Sequence, residues 1–173
     1  MRVSVFAGDI ADAPAEAVCT SSNARLSLMM GSGAAIRERG GFEILRECEQ
    51  IVVRSGSRAL PVGSVHVTTA GRLPFKLVIH CVASDPATHL SSAEVIRACV
   101  TRSLAAAGAA RCRSVAMPVF ATGHARFKFD LALAAMAGAL QDATTSVEEV
   151  VVVVKEPERF EAARKVFAGL TRD

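Results

Sequence analysis

The sequence predicts a three-layer α/β sandwich built on a largely parallel sheet, and three observations carry that prediction. Short runs rich in Val and Ile recur from end to end, at residues 3–7, 17–19, 64–68, 77–82, 114–119 and 150–154. Their unbroken apolar character suits strands covered on both faces. Helical patterns fill the intervals, and strands alternating with helices indicate parallel strands joined by crossovers. No repeat, low-complexity tract or linker interrupts the 173 residues. One domain over residues 1–173 is therefore expected, within the roughly 100–200 residues that a single core commonly serves.

Each helix has its own local reason. Gly31-Ser32-Gly33 opens one directly, and Gly40-Gly41 separates it from a second over residues 42–53. Ser91 and Glu94 have capping-box spacing ahead of Ile96, Cys99, Val100 and Leu104, which share one helical face. Asp130 is placed to cap a helix running to Leu140. Pro157 suits the first turn of a last helix whose Phe160, Ala163, Phe167 and Leu170 face inward.

Composition narrows the function classes. With 51% hydrophobic and 21% charged residues, the chain can fill a core and is not a disordered segment. A net charge of +3 helps an anionic ligand approach but falls short of a dedicated nucleic-acid binder. Cys19, Cys48, Cys81, Cys99 and Cys112 are odd in number, scattered and without a C-x-x-C pair. They read as reduced thiols, with neither a disulfide framework nor a metal site. The N-terminal apolar run is too short for a signal peptide, and nowhere do about 18 apolar residues run together. A cytoplasmic protein without a membrane span is expected.

Ligands of α/β sheets bind where loops leave the carboxyl ends of strands. Three such loops carry candidate chemistry. Asp9, in Gly8-Asp9-Ile10, either caps a turn or accepts from an exocyclic amine, with the Ile10 backbone as a neighbouring donor. In the second loop, Gly31-Ser32-Gly33 leads into Ala34-Ala35-Ile36. That is either a plain strand-to-helix turn or a set of amides offered to an anion at a helix N-terminus. A dinucleotide fingerprint fits poorly, because the third small residue is misplaced and no strand ending in an acidic residue follows at the expected distance of roughly 20 residues. Asn23, just before, either turns the chain or meets a ribose hydroxyl. In the third loop, Ala121-Thr122-Gly123 exposes further amides after a buried strand. His124 has no neighbour in sequence to orient it as a base.

Together, in this order, the loops resemble the macrodomain family, which binds ADP-ribose. Gly8-Asp9-Ile10 is similar to the family's opening motif, residues 18–23 to its strand ending in an asparagine turn, and Gly31-Ser32-Gly33-Ala34-Ala35-Ile36 to its first phosphate loop. Leu73-Pro74-Phe75-Lys76-Leu77-Val78-Ile79-His80 resembles a recognisable family strand, and Met117-Pro118 through Thr122-Gly123 its second phosphate loop. The resemblance implies a macrodomain-like α/β/α sandwich with a mixed sheet of six or seven strands. It also implies a role for each matching residue. Asp9 would hold the adenine amine beside Ile10, and Asn23 would face the distal ribose. Amides of Ser32, Gly33 and Ala34, after Gly31, would cradle one phosphate. Those of Thr122, Gly123 and His124, after Pro118, would cradle the other. Phe127 would lie near the distal ribose, and Val154 would replace an aromatic that stacks on adenine. No cofactor or metal is implied; the partners would be ADP-ribose or ADP-ribosylated protein or nucleic acid.

Departures from the family pattern bear on activity. Hydrolytic members carry two asparagines in the turn after the second strand, where this chain has Thr20 and Asn23. The first glycine loop lacks a carboxylate, and Ala125 stands where another hydrolytic class has an aspartate. Arg126 replaces a glycine and would either clamp the pyrophosphate or crowd the pocket. The Gly-Ser-Gly turn and the Gly40-Gly41-Phe42-Glu43 continuation resemble macrodomains of histone variants and of ADP-ribosyltransferase proteins. Binding is the expectation; the alternative is hydrolysis of a mono-ADP-ribosyl linkage or of O-acetyl-ADP-ribose, with Asn23 positioning water and the substrate's phosphate activating it.

Overall fold

The computed structural model describes residues 1–85 and 87–170. In chain order the elements are β1 (Arg2–Ala7), a 3-10 turn (Ile10–Asp12), β2 (Ala17–Ser22), α1 (Gly31–Gly40), α2 (Phe42–Arg54) and β3 (Val65–Thr68). There follow β4 (Leu77–Val82), α3 (Ala93–Ala109), β5 (Ser114–Pro118), α4 (Phe129–Asp142), β6 (Glu149–Val154) and α5 (Pro157–Phe167). One six-stranded sheet has the order β1-β6-β5-β2-β4-β3. Every pairing is parallel except β3 on β4, so the sheet is mixed through its last strand alone.

Alternation along each strand explains the three layers. Val18, Val78, Val82, Val151 and Val153 face Ile36, Ile44 and Cys48 of α1 and α2. Their neighbours Cys19, Ile79, Cys81 and Val152 face Ile96 and Leu104 of α3, Leu133 and Met136 of α4, and Phe167 of α5. All five cysteines are buried and free. None of the described helices is long and apolar enough to cross a membrane.

Several local expectations needed correction. Ser92, and not Ser91, caps α3, its side chain accepting from the Val95 amide at 3.3 Å. Glu94 does approach the cap, its carboxyl lowered mainly by a hydrogen bond with Ser92. Lys128 occupies the N-cap of α4 and Asp130 sits in its first turn, where its charge complements the helix dipole without capping. β3 is an edge strand with Val67 exposed, so burial on both faces does not extend to it. β2 continues past Cys19 through three hydroxyl residues, because pairing with β4 supplies the ladder that their side chains do not favour. Pro157 and the Gly40-Gly41 break fall where the sequence places them.

Candidate functional site

The parallel strands all end on one rim, and there the sheet opens. β2 pairs with β5 only at Ala17–Val115 and Val18–Ala116, whereas β2 runs on to Ser22 and β5 to Pro118. The carboxyl ends of these two central strands therefore diverge. One hydrogen bond bridges the gap, from the Ala121 amide to Ser21 Oγ at 3.3 Å. A cavity of about 250 Å³ occupies this crevice and takes residues from the ends of β1, β2, β4, β5 and β6.

α1 supplies one wall. Met30 is its N-cap, and the Ala34 amide already donates to the Met30 carbonyl at 3.3 Å. The helix geometry thus leaves Gly31, Ser32 and Gly33 as its unpartnered donors, and all three line the cavity. Ala34 does not, so the set of free amides is one residue earlier than the sequence reading has it. Ser32 Oγ accepts from the Ser21 amide at 3.1 Å and lies 3.3 Å from Thr20 Oγ1. Thr20 is fully buried and outside the cavity lining; it braces α1 against β2. A Cβ at Gly33 would stand 3.1 Å from Leu28 Cα and 3.4 Å from Thr20 Oγ1, a fit that favours glycine.

The chain between Asn23 and α1 is tightly wound. Leu26 and Leu28 have φ of 50° and 51° yet are buried. Each left-handed leucine costs about 1–2 kcal/mol, and burying its side chain returns about 1.5–3 kcal/mol, so the loop holds. Asn23 staples it: Oδ1 accepts from the amides of Arg25 and Ser27, and Nδ2 donates to Ser27 Oγ at 2.7 Å. Asn23 lines the cavity with one N–H of its carboxamide left over.

The β5–α4 loop forms the opposite wall. Amides of Ala121, Arg126 and Phe127 are taken by Ser21 Oγ, the Gly123 carbonyl and the Ala121 carbonyl. Those of Thr122, Gly123 and His124 have no hydrogen-bond partner among the described residues, and all three residues line the cavity with Pro118 and Ala125. Phe127 packs on the core instead, and Phe129 takes the lining position. Arg126 is exposed, has φ of 50° and lies outside the lining, so it neither fills nor crowds the cavity. The His124 ring meets His89 of the β4–α3 loop edge to face, with centroids 5.1 Å apart.

At the β1–β6 edge, Asp9 caps the 3-10 turn through Oδ1, which accepts from the Ala11 amide at 2.9 Å. Its Oδ2 lies 3.9 Å from Lys155 Nζ. Asp9, Ile10 and Val154 line this end with Lys155 and Glu156. Sequence reasoning missed Ser21, Ser22, Ala83, Ser84 and Phe129. The first four are strand-end residues that the rule about carboxyl ends could have named; Phe129 depends on how the loop folds back.

The sequence model of the Macro domain family matches residues 19–136. A Macro domain-containing protein of Streptomyces coelicolor is 31% identical over 92% of this chain and 95% of its own. An uncharacterized protein of Pyrobaculum aerophilum is 32% identical over 96% and 91%. Among solved structures, a mutant Oceanobacillus iheyensis macrodomain with ADPR superposes with a TM-score of 0.85 at 22% identity, covering 96% of this chain and 91% of that one. A Trypanosoma brucei macrodomain in complex with ADP-ribose gives 0.78 at 19%, covering 96% and 67%. The family match across the sheet's central strands and glycine loops, joined to this shared architecture, places the chain in the Macro domain family.

Proposed function

We propose that this protein binds ADP-ribose, free or attached to a macromolecule, in the crevice between β2 and β5. The observation that carries the reading is the pair of unpartnered amide rows, Gly31–Gly33 and Thr122–His124, on opposite walls of one cavity. Such donors suit the two phosphates of a pyrophosphate. Asp9 Oδ2 would accept the adenine amine while Oδ1 keeps its turn. Val153 and Val154 would give the base an aliphatic contact in place of aromatic stacking worth about 1–3 kcal/mol. Asn23 would offer its remaining N–H to the distal ribose.

Reading without cutting is favoured over hydrolysis by Asn23 itself. Both lone pairs of its Oδ1 are occupied by backbone amides, which leaves no acceptor to orient a water. Asp9 and Glu156 are the carboxylate residues of the lining, and they follow β1 and β6. At about 4.8 Å per strand they stand roughly 10–14 Å across the sheet from the Asn23 end of β2.

Titration calorimetry with ADP-ribose tests the reading, and no heat at about millimolar ligand would sink it. Gly123→Val gives the sharper control. No atom lies within 4 Å of a Cβ built there, so the fold should be unaffected, and because Gly123 lines the cavity the added bulk should hinder a ligand's approach to its amide. The expected result is an unchanged melting temperature with at least about a tenfold loss of affinity, or about 1.4 kcal/mol.

A further inference from the structure

We infer that the outer edge of β1 is an interface and that its occupant is a second copy of this chain, paired antiparallel about a two-fold axis through Val5. The inference starts from where the backbone of β1 points. β1 ends the sheet, with β6 as its one neighbouring strand. The Arg2 amide donates to the Glu148 carbonyl at 2.7 Å, and the Gly8 amide to the Val154 carbonyl at 3.0 Å. Backbone groups of successive strand residues point to opposite sides, so Arg2, Ser4, Phe6 and Gly8 serve the ladder with β6. Val3, Val5 and Ala7 therefore turn their N–H and C=O outward, where no partner meets them among the described residues. Sheet edges are normally blunted by charge, proline, a bulge or a covering segment. The opposite edge is blunted in this way: at the end of β3, Glu47 of α2 takes the Thr69 amide at 3.0 Å. Val3-Ser4-Val5-Phe6-Ala7 carries no charge or proline, and its register with β6 has no bulge.

The side chains suit a further strand on both faces. Val5 packs on the core cluster that contains Phe167 of α5, and Phe6 on the one that contains Ile36 of α1; each is only half-buried. Self-complementarity identifies the occupant. With Val5 opposite Val5 of the second copy, Val3 faces Ala7 and Ala7 faces Val3, so every outward residue meets another. These are hydrogen-bonded pairs of an antiparallel ladder, each exchanging two bonds, about six in all. Ser4 then lies opposite Phe6 on the other face, a small residue leaving room for a large one. Arg2 comes opposite Gly8 and next to Asp9, so opposite charges meet at both ends, whereas a parallel copy would set Arg2 against Arg2. One patch used by both copies makes a closed pair and not a filament. The two crevices then open on opposite rims of one continuous sheet.

Sedimentation equilibrium on the intact protein tests the association, and cysteine cross-linking tests the register. The mass should rise from the 18.1 kDa of one chain toward twice that as concentration approaches about 100 μM. In Val5→Cys the two new thiols should face each other across the axis with Cα atoms about 5.5 Å apart, within disulfide range. Oxidised glutathione should convert most of this variant to a covalent dimer, releasing reduced glutathione, and the native cysteines are buried and do not compete. Ala7→Cys is the control. Its copies would lie roughly 13 Å apart along the pair, so this exposed thiol should not cross-link. Ala7→Pro removes an outward N–H and leaves the β6 ladder intact. It should keep the melting temperature of the dilute protein and weaken the dimer at least about tenfold. A monomer throughout the concentration range, no covalent dimer from Val5→Cys, equal cross-linking of the two cysteine variants, or an Ala7→Pro dimer as tight as the wild type overturns the inference. If Ala7→Pro does not fold, the two cysteine variants decide by themselves.

Discussion

Taking the protein from neutral pH to about pH 4 is expected to remove about 3 kcal/mol of stability through one side chain, His80. His80 is fully buried on β4 between β3 and α2. Burial, with a smaller contribution from His66 opposite it, pushes its pKa down to about 3 from 6.5. Thr68 spends its single hydroxyl proton on the Thr69 carbonyl at 2.9 Å, so it must accept from His80 Nε2, 2.8 Å away. The neutral ring is thereby held as the Nε2–H tautomer, beside a Cys48 thiol that burial pushes up to about 12.

The sign follows from which state takes up the proton. Unfolded, the imidazole protonates as pH falls through 6.5; folded, it resists until about pH 3. The unfolded state binds more protons in that window, so the stability is fully present above 6.5 and is lost as pH falls, at about 1.4 kcal/mol per pH unit. Urea midpoints at about pH 7 and pH 4 measure the loss. His80→Gln keeps an N–H for Thr68 without a titrating group, and its acid loss should be smaller by about 3 kcal/mol. What remains belongs to surface carboxylates such as Glu16, lowered chiefly by Lys76, and Glu148, lowered chiefly by Arg113. Identical pH dependence in variant and wild type would show that His80 is not the source.

Gly71→Ala should destabilise the protein by about 3 kcal/mol or more, although Gly71 lies in an exposed loop. Gly71 has φ of 55°, where an L-residue costs about 1–2 kcal/mol. Its Cβ would overlap the carbonyl oxygen of Gly40, the last residue of α1. That carbonyl also accepts from the Arg72 amide at 2.9 Å, so it cannot swing away without breaking the contact that seats α1 on the loop before β4. Gly40 is confined in turn by Ile44 and Leu73. Chemical denaturation of the variant tests the size of the effect, and a loss below about 1 kcal/mol would mean that the loop yields. Because α1 begins at the candidate site, the variant should also weaken ADP-ribose binding.

Much of this was legible in the chain. Alternation of Val18 with Cys19, Val78 with Ile79 and Val151 with Val152 loads both faces of the sheet, so a covered, mainly parallel sheet follows from composition and period. Asp9, Asn23, Gly31–Gly33 and Thr122–Ala125 could be named because loops after parallel strands share a rim, and these residues do line one cavity. Cap positions were less secure: Ser91 and Ser92 are adjacent candidates for one role, and the choice depends on where α3 docks.

Tertiary structure alone decided what those residues are free to do. That β2 and β5 part after Val18 and Ala116 is invisible in either strand, since it depends on how two distant segments pair. Asn23 reads equally well as ribose ligand or turn residue until its carboxamide is seen holding Arg25 and Ser27. Phe127 and Phe129 both pack against the core, and which of them also reaches the cavity depends on the path of a loop with left-handed residues at Ala121 and Arg126. The sequence by itself determined which residues reach the rim, because side-chain period and strand direction are local properties. Which of their hydrogen bonds remain unused was settled only by packing, because a donor is free only when no neighbour, near or distant in the chain, has taken it.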